Sequence, residues 1–141
     1  MQPLDDETRQ WTLKWLRKAD KDLRLAQDIA HDPYHFDSLA YHCHQAAEKY
    51  VKAALTAHGI RFAFTHNLRV LLEQLETSQP VGDEWYAAAS QLNPFSTLTR
   101  YPLEDETEPP AQLLLVLAQN WCTWLRPSLA EATQAGPYPT Q

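Results

Sequence analysis

Along the first thirty positions, apolar residues recur every three or four positions, a spacing that places them on one face of an α-helix. The pattern predicts a first helix that begins near Asp5 or Asp6, where carboxylates favour a helix N-terminus, and runs to about Ala30. Asp32-Pro33 ends this helix, because a proline disfavours helical geometry in the residue before it. The first predicted element is therefore one long amphipathic helix.

The same spacing continues in two further segments. It predicts a second helix from about Asp37 to His58, and Gly59 supplies the residue type that commonly ends a helix. This helix is rich in alanine, so a neighbouring helix can approach it closely. Asn67 is a suitable N-cap for a short third helix, whose apolar residues are Leu68, Leu71, Leu72 and Leu75.

A fourth helix and a long loop are predicted next. Asp83 is expected to cap the helix, which extends to about Leu92. The segment from Asn93 to Pro110 holds four prolines and the acidic run 104–108, so it is predicted to be the one long loop. Loops of this length are usually functional or mobile.

The last helix is predicted to begin at Pro110 or Ala111 and to stop before Pro127. We expect a single domain over residues 1–133 and a disordered tail over 134–141. The chain has three glycines and no long alternation of apolar and polar residues, which favours helices over sheet. The predicted fold class is all-α, an antiparallel up-and-down bundle of four to five helices.

Charge and cysteine content limit the kinds of function. The net charge of −6 argues against a protein whose main task is non-specific nucleic-acid binding, which normally shows a basic excess. Cys43 and Cys122 are far apart in helical patterns, which predicts reduced, buried thiols. The N-terminus is acidic and polar, and no apolar run approaches the roughly 20 residues needed to span a bilayer. These features predict a cytoplasmic protein without membrane association.

One stretch carries a family resemblance. The sequence Tyr41-His42-Cys43-His44-Gln45-Ala46-Ala47-Glu48-Lys49-Tyr50-Val51-Lys52-Ala53-Ala54-Leu55, followed by Gly59 and His66-Asn67-Leu68, closely resembles the signature of the HEPN family. These small helical domains are named higher eukaryote and prokaryote nucleotide-binding domains. Further matches are Trp15 with Ala19, Asp22, Leu23 and Ala26, then Leu71-Leu72, and Arg100-Tyr101-Pro102. The resemblance implies the small prokaryotic stand-alone type, the same helical bundle and a homodimer.

In many HEPN members, an arginine and a histidine four to six positions apart on the final long helix cleave RNA across a homodimer. The histidine moves the 2′-hydroxyl proton and the arginine holds the phosphate. Here Arg61 and His66 have this spacing but precede the third helix, and no histidine follows Arg100. We therefore assign no catalytic residue, and Arg61, His66 and Arg100 remain candidates.

Candidates for binding a nucleotide or another anion come from the loops. Arg100 and Tyr101 match a family motif in the long loop, although Arg100 alternatively anchors that loop to a buried carboxylate or a helix C-terminus. His66 also matches the family pattern. Its alternative role is to close the loop before the third helix, with its ring packed under the second helix and bonded to backbone.

A basic stripe on the first helix is the other anion-binding candidate. The stripe has residues at helical spacing roughly opposite the tryptophan face: Lys14, Arg17, Lys21 and Arg24, with Lys18 beside them. The alternative is a solvated helix face laced by aspartates at positions 20, 22 and 28.

Two simpler expectations concern the second helix. Glu48 and Lys52 are four apart in the favourable order, so an intrahelical ion pair is expected. His42 and His44 are two apart and point in different directions, so they cannot jointly chelate a metal. No metal and no cofactor are predicted.

The sequence and the resemblance together favour a homodimeric HEPN protein that binds a nucleotide or a partner and lacks the usual ribonuclease motif. The resemblance implies a companion role to a small nucleotidyltransferase encoded nearby, in a module similar to toxin–antitoxin pairs. The alternative is a metal-independent RNase toxin acting on RNA across the dimer interface. A structural dimerisation module without a small ligand is the third interpretation, and five tryptophans would suit a dimer seam.

Overall fold

The computed structural model describes residues 3–98 and 108–134 of the chain. This part contains five α-helices and no β-strand, which confirms the predicted all-α bundle. Short 3-10 turns precede the second helix and follow the fourth, at Pro33–His35 and Asn93–Phe95. The helices are α1 (Asp6–Ile29), α2 (Phe36–Ala57), α3 (Leu68–Leu75), α4 (Asp83–Leu92) and α5 (Ala111–Gln134).

Helix α2 is the central element of the bundle. Sixteen of its 22 residues are buried, so it is covered on nearly all sides rather than along one stripe. It contacts each of the other four helices, most extensively α1 and then α5. Buried alanines at positions 46, 47, 53 and 54 allow this close approach from several directions.

The helix ends follow the predicted capping residues with one exception. Asp5 caps α1 by accepting a hydrogen bond from the Thr8 amide (2.7 Å), and Asn67 caps α3 by accepting one from the Arg69 amide (3.0 Å). Asp83, however, is the first helical residue of α4, and Gly82 is the cap. As a residue of the first turn, Asp83 still places a carboxylate next to the positive end of the helix.

The predicted stop before Pro127 is wrong, because α5 continues through this proline to Gln134. A proline inside a helix loses one backbone hydrogen bond. Packing beyond it compensates for that loss: Leu129 and Thr133 are buried, and the Thr133 hydroxyl donates to the Leu129 carbonyl (2.9 Å). Tertiary burial thus overrides the local helix-breaking tendency.

Two predictions fall largely on parts of the chain outside the described ranges. Residues 135–141 of the predicted tail and residues 99–107 of the predicted long loop, including Arg100 and Tyr101, lie there. None of the helices in the described ranges combines the length and the apolar character needed to cross a bilayer.

Candidate functional site

A buried charged cluster is centred on Glu48, in the middle of α2. Its carboxylate is only 4% exposed. One oxygen accepts a hydrogen bond from the Lys52 ammonium (3.0 Å), which confirms the expected intrahelical pair. The other oxygen lies 2.8 Å from Nδ1 of His66, in the segment between α2 and α3. Glu48 therefore makes one charge-assisted contact within α2, with Lys52, and one that joins α2 to the segment before α3, with His66.

His44 lies one helical turn before Glu48, and its ring is fully buried. Burial lowers the pKa of His44 to about 4, so the ring is neutral at pH 7. Nε2 donates to the backbone carbonyl of His66 (3.0 Å), which leaves Nδ1 as the unprotonated acceptor nitrogen. Nδ1 faces a Glu48 oxygen at 4.0 Å, another acceptor, which explains why this buried nitrogen has no hydrogen-bond partner among the described residues.

His66 closes the segment between α2 and α3, but not in the expected way. Its side chain is 64% exposed rather than packed under α2. Its ring is paired with the Glu48 carboxylate, and only its main-chain carbonyl takes part in a backbone contact, with His44. The buried carboxylate attracts the ring edge to the protein surface, where the rest of the imidazole stays in solvent.

Lys52 connects the Glu48 cluster with the surface. Its ammonium lies 5.5 Å from the centre of the Trp15 ring and 5.6 Å from that of Phe62. Trp15 and Phe62 meet edge to face, with ring centres 6.1 Å apart. The aromatic pair thus covers the lysine, and cation–π attraction adds to its pairing with Glu48.

On the outer side of this aromatic cover, α1, α2 and the segment after α2 form a surface groove of about 380 Å³. Trp11 in the groove is 50% exposed, an unusual state for the largest apolar side chain. The Lys14 ammonium lies 4.5 Å from the centre of its ring. The groove is lined by Glu7, Thr8, Trp11, Trp15, Thr56 and Phe62. We name it the Trp11 groove.

The predicted basic stripe is exposed along α1, and only part of it lies near this groove. Lys14 lies over Trp11 and not opposite the tryptophan face, so the predicted placement is wrong for this residue. Arg17 and Lys21 are exposed and have no ion pair among the described residues. Three aspartates were expected to pair with the basic stripe, and only Asp28 does so. Its Oδ1 lies 3.2 Å from Nε of Arg24.

The other two aspartates are turned towards neighbouring helices. Asp22 is paired with His42 (2.8 Å) and Lys49 of α2. Asp20 accepts three hydrogen bonds from Arg126 of α5, the shortest of 2.7 Å, and one from the Tyr50 hydroxyl (2.6 Å). The predicted pairing of Asp20 and Asp22 with the basic stripe is therefore wrong, because both aspartates lie on the side of α1 that packs into the bundle.

The contacts between Asp20, Arg126 and Tyr50 shift the pKa of each of these side chains. Partial burial raises the pKa of the Asp20 carboxyl, but hydrogen bonds from Arg126 and Tyr50 outweigh it, and the net shift is downward. The hydrogen bond to Asp20 raises the pKa of Arg126. Burial and the hydrogen bond to Asp20 raise the pKa of Tyr50. Asp20 and Arg126 therefore stay charged, and Tyr50 stays neutral, across the ordinary pH range.

The remaining sequence candidates do not assemble into one site in the described structure. Arg61 and His66 lie in the segment between α2 and α3, and Arg61 has no ion pair or hydrogen bond among the described residues. Arg100 and Tyr101 lie outside the described ranges. Within those ranges, no group of three histidine, cysteine or acidic side chains is arranged to hold a metal.

Sequence reasoning missed the Trp11 groove, although a signal was present. Glu7, Trp11, Lys14 and Lys18 are spaced by four, three and four residues, which puts them along one face of α1. The periodicity of α1 assigns Trp11 to the apolar face, and nothing in its local sequence reveals that Phe62 and Thr56 meet it from another element.

The fold and the Glu48 cluster define a small helical-bundle domain whose central helix carries its polar residues inward. A family model described as "HEPN domain" matches residues 12–127. This chain belongs to the HEPN family.

Two solved structures have the same fold. The crystal structure of TT1696 from Thermus thermophilus is 26% identical, with a TM-score of 0.69 over 86% of this chain and 97% of that one. ST0689, an archaeal HEPN homologue, is 21% identical, with a TM-score of 0.66 over 84% of this chain and 97% of that one. Among curated proteins, none matches this chain.

Proposed function

We propose that this HEPN-family chain is a homodimeric binding protein for a nucleotide or a protein partner, and that it lacks ribonuclease activity. The observation that carries this proposal is the make-up of α5, the helix on which the usual ribonuclease residues would lie. Its one arginine, Arg126, is held by both oxygens of Asp20, and the helix contains no histidine. To hold a scissile phosphate, Arg126 would have to leave this carboxylate, and α5 offers no histidine to act with it.

Binding is supported by the Trp11 groove. A half-exposed tryptophan lies beside a concavity of about 380 Å³, an arrangement that suits ligand binding. This size lies within the range of small-molecule sites, roughly 300–1,000 Å³. A homodimer is supported by exposed apolar side chains on α5, Leu113 and Val116, which lie three positions apart on one face.

We place the protein in the cytoplasm, as the companion of a small nucleotidyltransferase encoded nearby in a toxin–antitoxin-like module. Membership of the HEPN family supports this assignment. It is tested by expressing the chain together with the product of its neighbouring gene and measuring whether the two co-elute as one complex.

A second candidate, a metal-independent RNase acting across the dimer interface, has one observation in its favour. Glu48 holds Nδ1 of His66, and Nε2 has no hydrogen-bond partner among the described residues. A histidine oriented by a carboxylate through one nitrogen is a suitable general base at the other. Arg61, in the same segment, would then have to hold the phosphate, with Arg100 as the other candidate.

The deciding experiment incubates the purified protein with total RNA in EDTA, beside Arg61→Ala, His66→Ala and Arg100→Ala variants. We expect intact RNA with every protein. Cleavage by the unmodified chain that one of these substitutions abolishes would make the protein an RNase and overturn the proposal. Gel filtration with light scattering tests the homodimer in the same preparation, and a rise in melting temperature with added nucleotides tests ligand binding.

A further inference from the structure

We propose that the Trp11 groove is a nucleobase site, in which a flat base lies against Trp11, Trp15 and Phe62 and its phosphate is bound by Lys14. The inference rests on the proposed function, since it names the groove as the place where a nucleotide would bind. The ligand it holds is a neutral aromatic ring joined to a negative group.

The aromatic walls fit a flat ring. Trp15 and Phe62 meet at 68°, so they form two walls of a corner rather than a flat surface. Trp11 stands one helical turn before Trp15 and is half-exposed. Stacking on aromatic side chains is the usual way in which proteins bind bases irrespective of sequence.

Charge around the rings argues for a neutral ring rather than an organic cation. Each ring already has an ammonium group nearby: Lys14 lies 4.5 Å from Trp11, and Lys52 lies 5.5 Å from Trp15 and 5.6 Å from Phe62. A second cation stacked on these rings would be repelled by the first, whereas a neutral base would not.

The polar groups at the two ends of the groove determine how the ligand is oriented in it. Glu7 and Lys14 are seven residues apart on one face of α1, which separates them by about 10 Å along the helix axis. The Glu7 carboxylate can accept hydrogen bonds from the N–H groups of a base and would repel a phosphate. Lys14 has no ion pair among the described residues, and Lys18 follows it one turn later, so the phosphate belongs at this end.

The test measures binding of AMP, GMP, CMP and UMP by isothermal titration calorimetry to the full chain and to two variants. Because Trp11 and Lys14 are exposed, neither Trp11→Ala nor Lys14→Gln should unfold the bundle, which far-ultraviolet circular dichroism checks. We expect Trp11→Ala to weaken binding of the preferred nucleotide at least tenfold. Lys14→Gln should weaken it several-fold, but leave binding of the matching nucleoside unchanged. Phe64→Ala, which removes a fully exposed ring outside the groove, is the matched control and should bind as the parent does.

Two further binding measurements are made. One distinguishes a free nucleotide from a segment of RNA, and the other tests whether the groove binds an organic cation instead. A penta-adenylate that binds more tightly than AMP, and only with Trp11 present, would identify an RNA segment as the ligand. Tetramethylammonium should not bind, and Trp11-dependent binding of this cation without nucleotide binding would overturn the inference.

The failures of the two proposals are distinguishable. Nucleotide binding that Trp11→Ala leaves unchanged would reject this groove while the binding function stands. No nucleotide binding at millimolar concentration would reject both the groove assignment and the nucleotide branch of the proposed function, and would leave the protein partner.

Discussion

His44 donates a hydrogen bond from Nε2 to the backbone carbonyl of His66, 3.0 Å away and 22 residues later in the chain. Together with the contact between His66 Nδ1 and Glu48, it fixes the residue that precedes the α3 cap onto the middle of α2. The segment from Gly59 to His66 is thereby held at its second end, and the hydrogen bond from the Ile60 amide to the Leu55 carbonyl (2.9 Å) holds its first end. Phe62, in the middle of this segment, is one wall of the Trp11 groove, so the buried polar cluster positions the groove.

The first prediction concerns the Glu48–Lys52 pair. Replacing Glu48 with alanine leaves the Lys52 ammonium, which is 11% exposed, without its counter-ion, so the free energy of unfolding should fall by about 3 kcal/mol. Urea denaturation measures this change. The double variant Glu48→Gln/Lys52→Met removes both charges and should recover a large part of the loss. A loss below about 1 kcal/mol for Glu48→Ala would mean that the buried pair does not stabilise the fold.

The second prediction concerns pH. The pKa of His44 is about 4 in the folded protein and about 6.5 in an unfolded chain, so between these values only the unfolded state binds a proton there. The free energy of unfolding therefore falls as the pH drops from about 6.5 to about 4, by roughly 3 kcal/mol in all.

Urea denaturation at several pH values checks this dependence. His44→Gln keeps a side-chain donor for the His66 carbonyl but removes the titrating ring, so it should flatten the dependence within this window. His31→Gln, at an exposed position between α1 and α2, is the control and should leave it in place. An equally steep dependence in His44→Gln would assign it to other groups.

The third prediction concerns the end of α2. Gly59 has a φ of +70°, in the left-handed region, and an added Cβ would meet nothing within 4 Å. Gly59→Ala should therefore destabilise the protein by about 1 kcal/mol through the backbone alone. Gly59→Asn should be less harmful, because asparagine tolerates this conformation. Thermal denaturation of both variants measures the difference, and equal stability of the alanine variant and the parent would contradict it.

The fold was predictable from the sequence where local signals and tertiary packing agree. The Asp5 and Asn67 caps and the Gly59 stop mark ends of α1, α3 and α2. The end of α5 was not predictable, because burial of Leu129 outweighs the helix-breaking effect of Pro127 and cannot be inferred from the local pattern.

The same contrast applies to the candidate site. The Glu48–Lys52 pair was predicted because its partners are one helical turn apart. The Glu48–His66 and His44–His66 contacts join residues 18 and 22 positions apart, so they depend on where the segment after α2 returns to the bundle. The Trp11 groove also depends on where this segment packs against the bundle. Periodicity along one helix carries no information about that position.

The fourth prediction concerns cysteine reactivity. Burial raises the pKa of the Cys43 thiol to about 12, whereas Cys122 is partly exposed. Because the thiolate is the reactive species, iodoacetamide at pH 8 should modify Cys122 well before Cys43 in the native protein. Peptide mass spectrometry distinguishes the two sites, and in denaturant both should react at similar rates. Rapid native labelling of Cys43 would show that α2 opens to solvent.

The fifth prediction concerns the Asp20–Arg126 pair, both its contribution to the free energy of unfolding and its part in any RNA cleavage. The two side chains are 37% and 38% exposed, so solvent screens their attraction despite the two-point contact. A double-mutant cycle of Asp20→Asn and Arg126→Gln, followed by urea denaturation, should give a coupling energy of about 1 kcal/mol. That value is well below the loss expected for Glu48→Ala. Since Arg126 is paired with Asp20 and α5 contains no histidine, Arg126→Gln should also leave RNA as intact as the parent chain does. RNA cleavage by the parent that Arg126→Gln abolishes would instead place the arginine of α5 at a ribonuclease site.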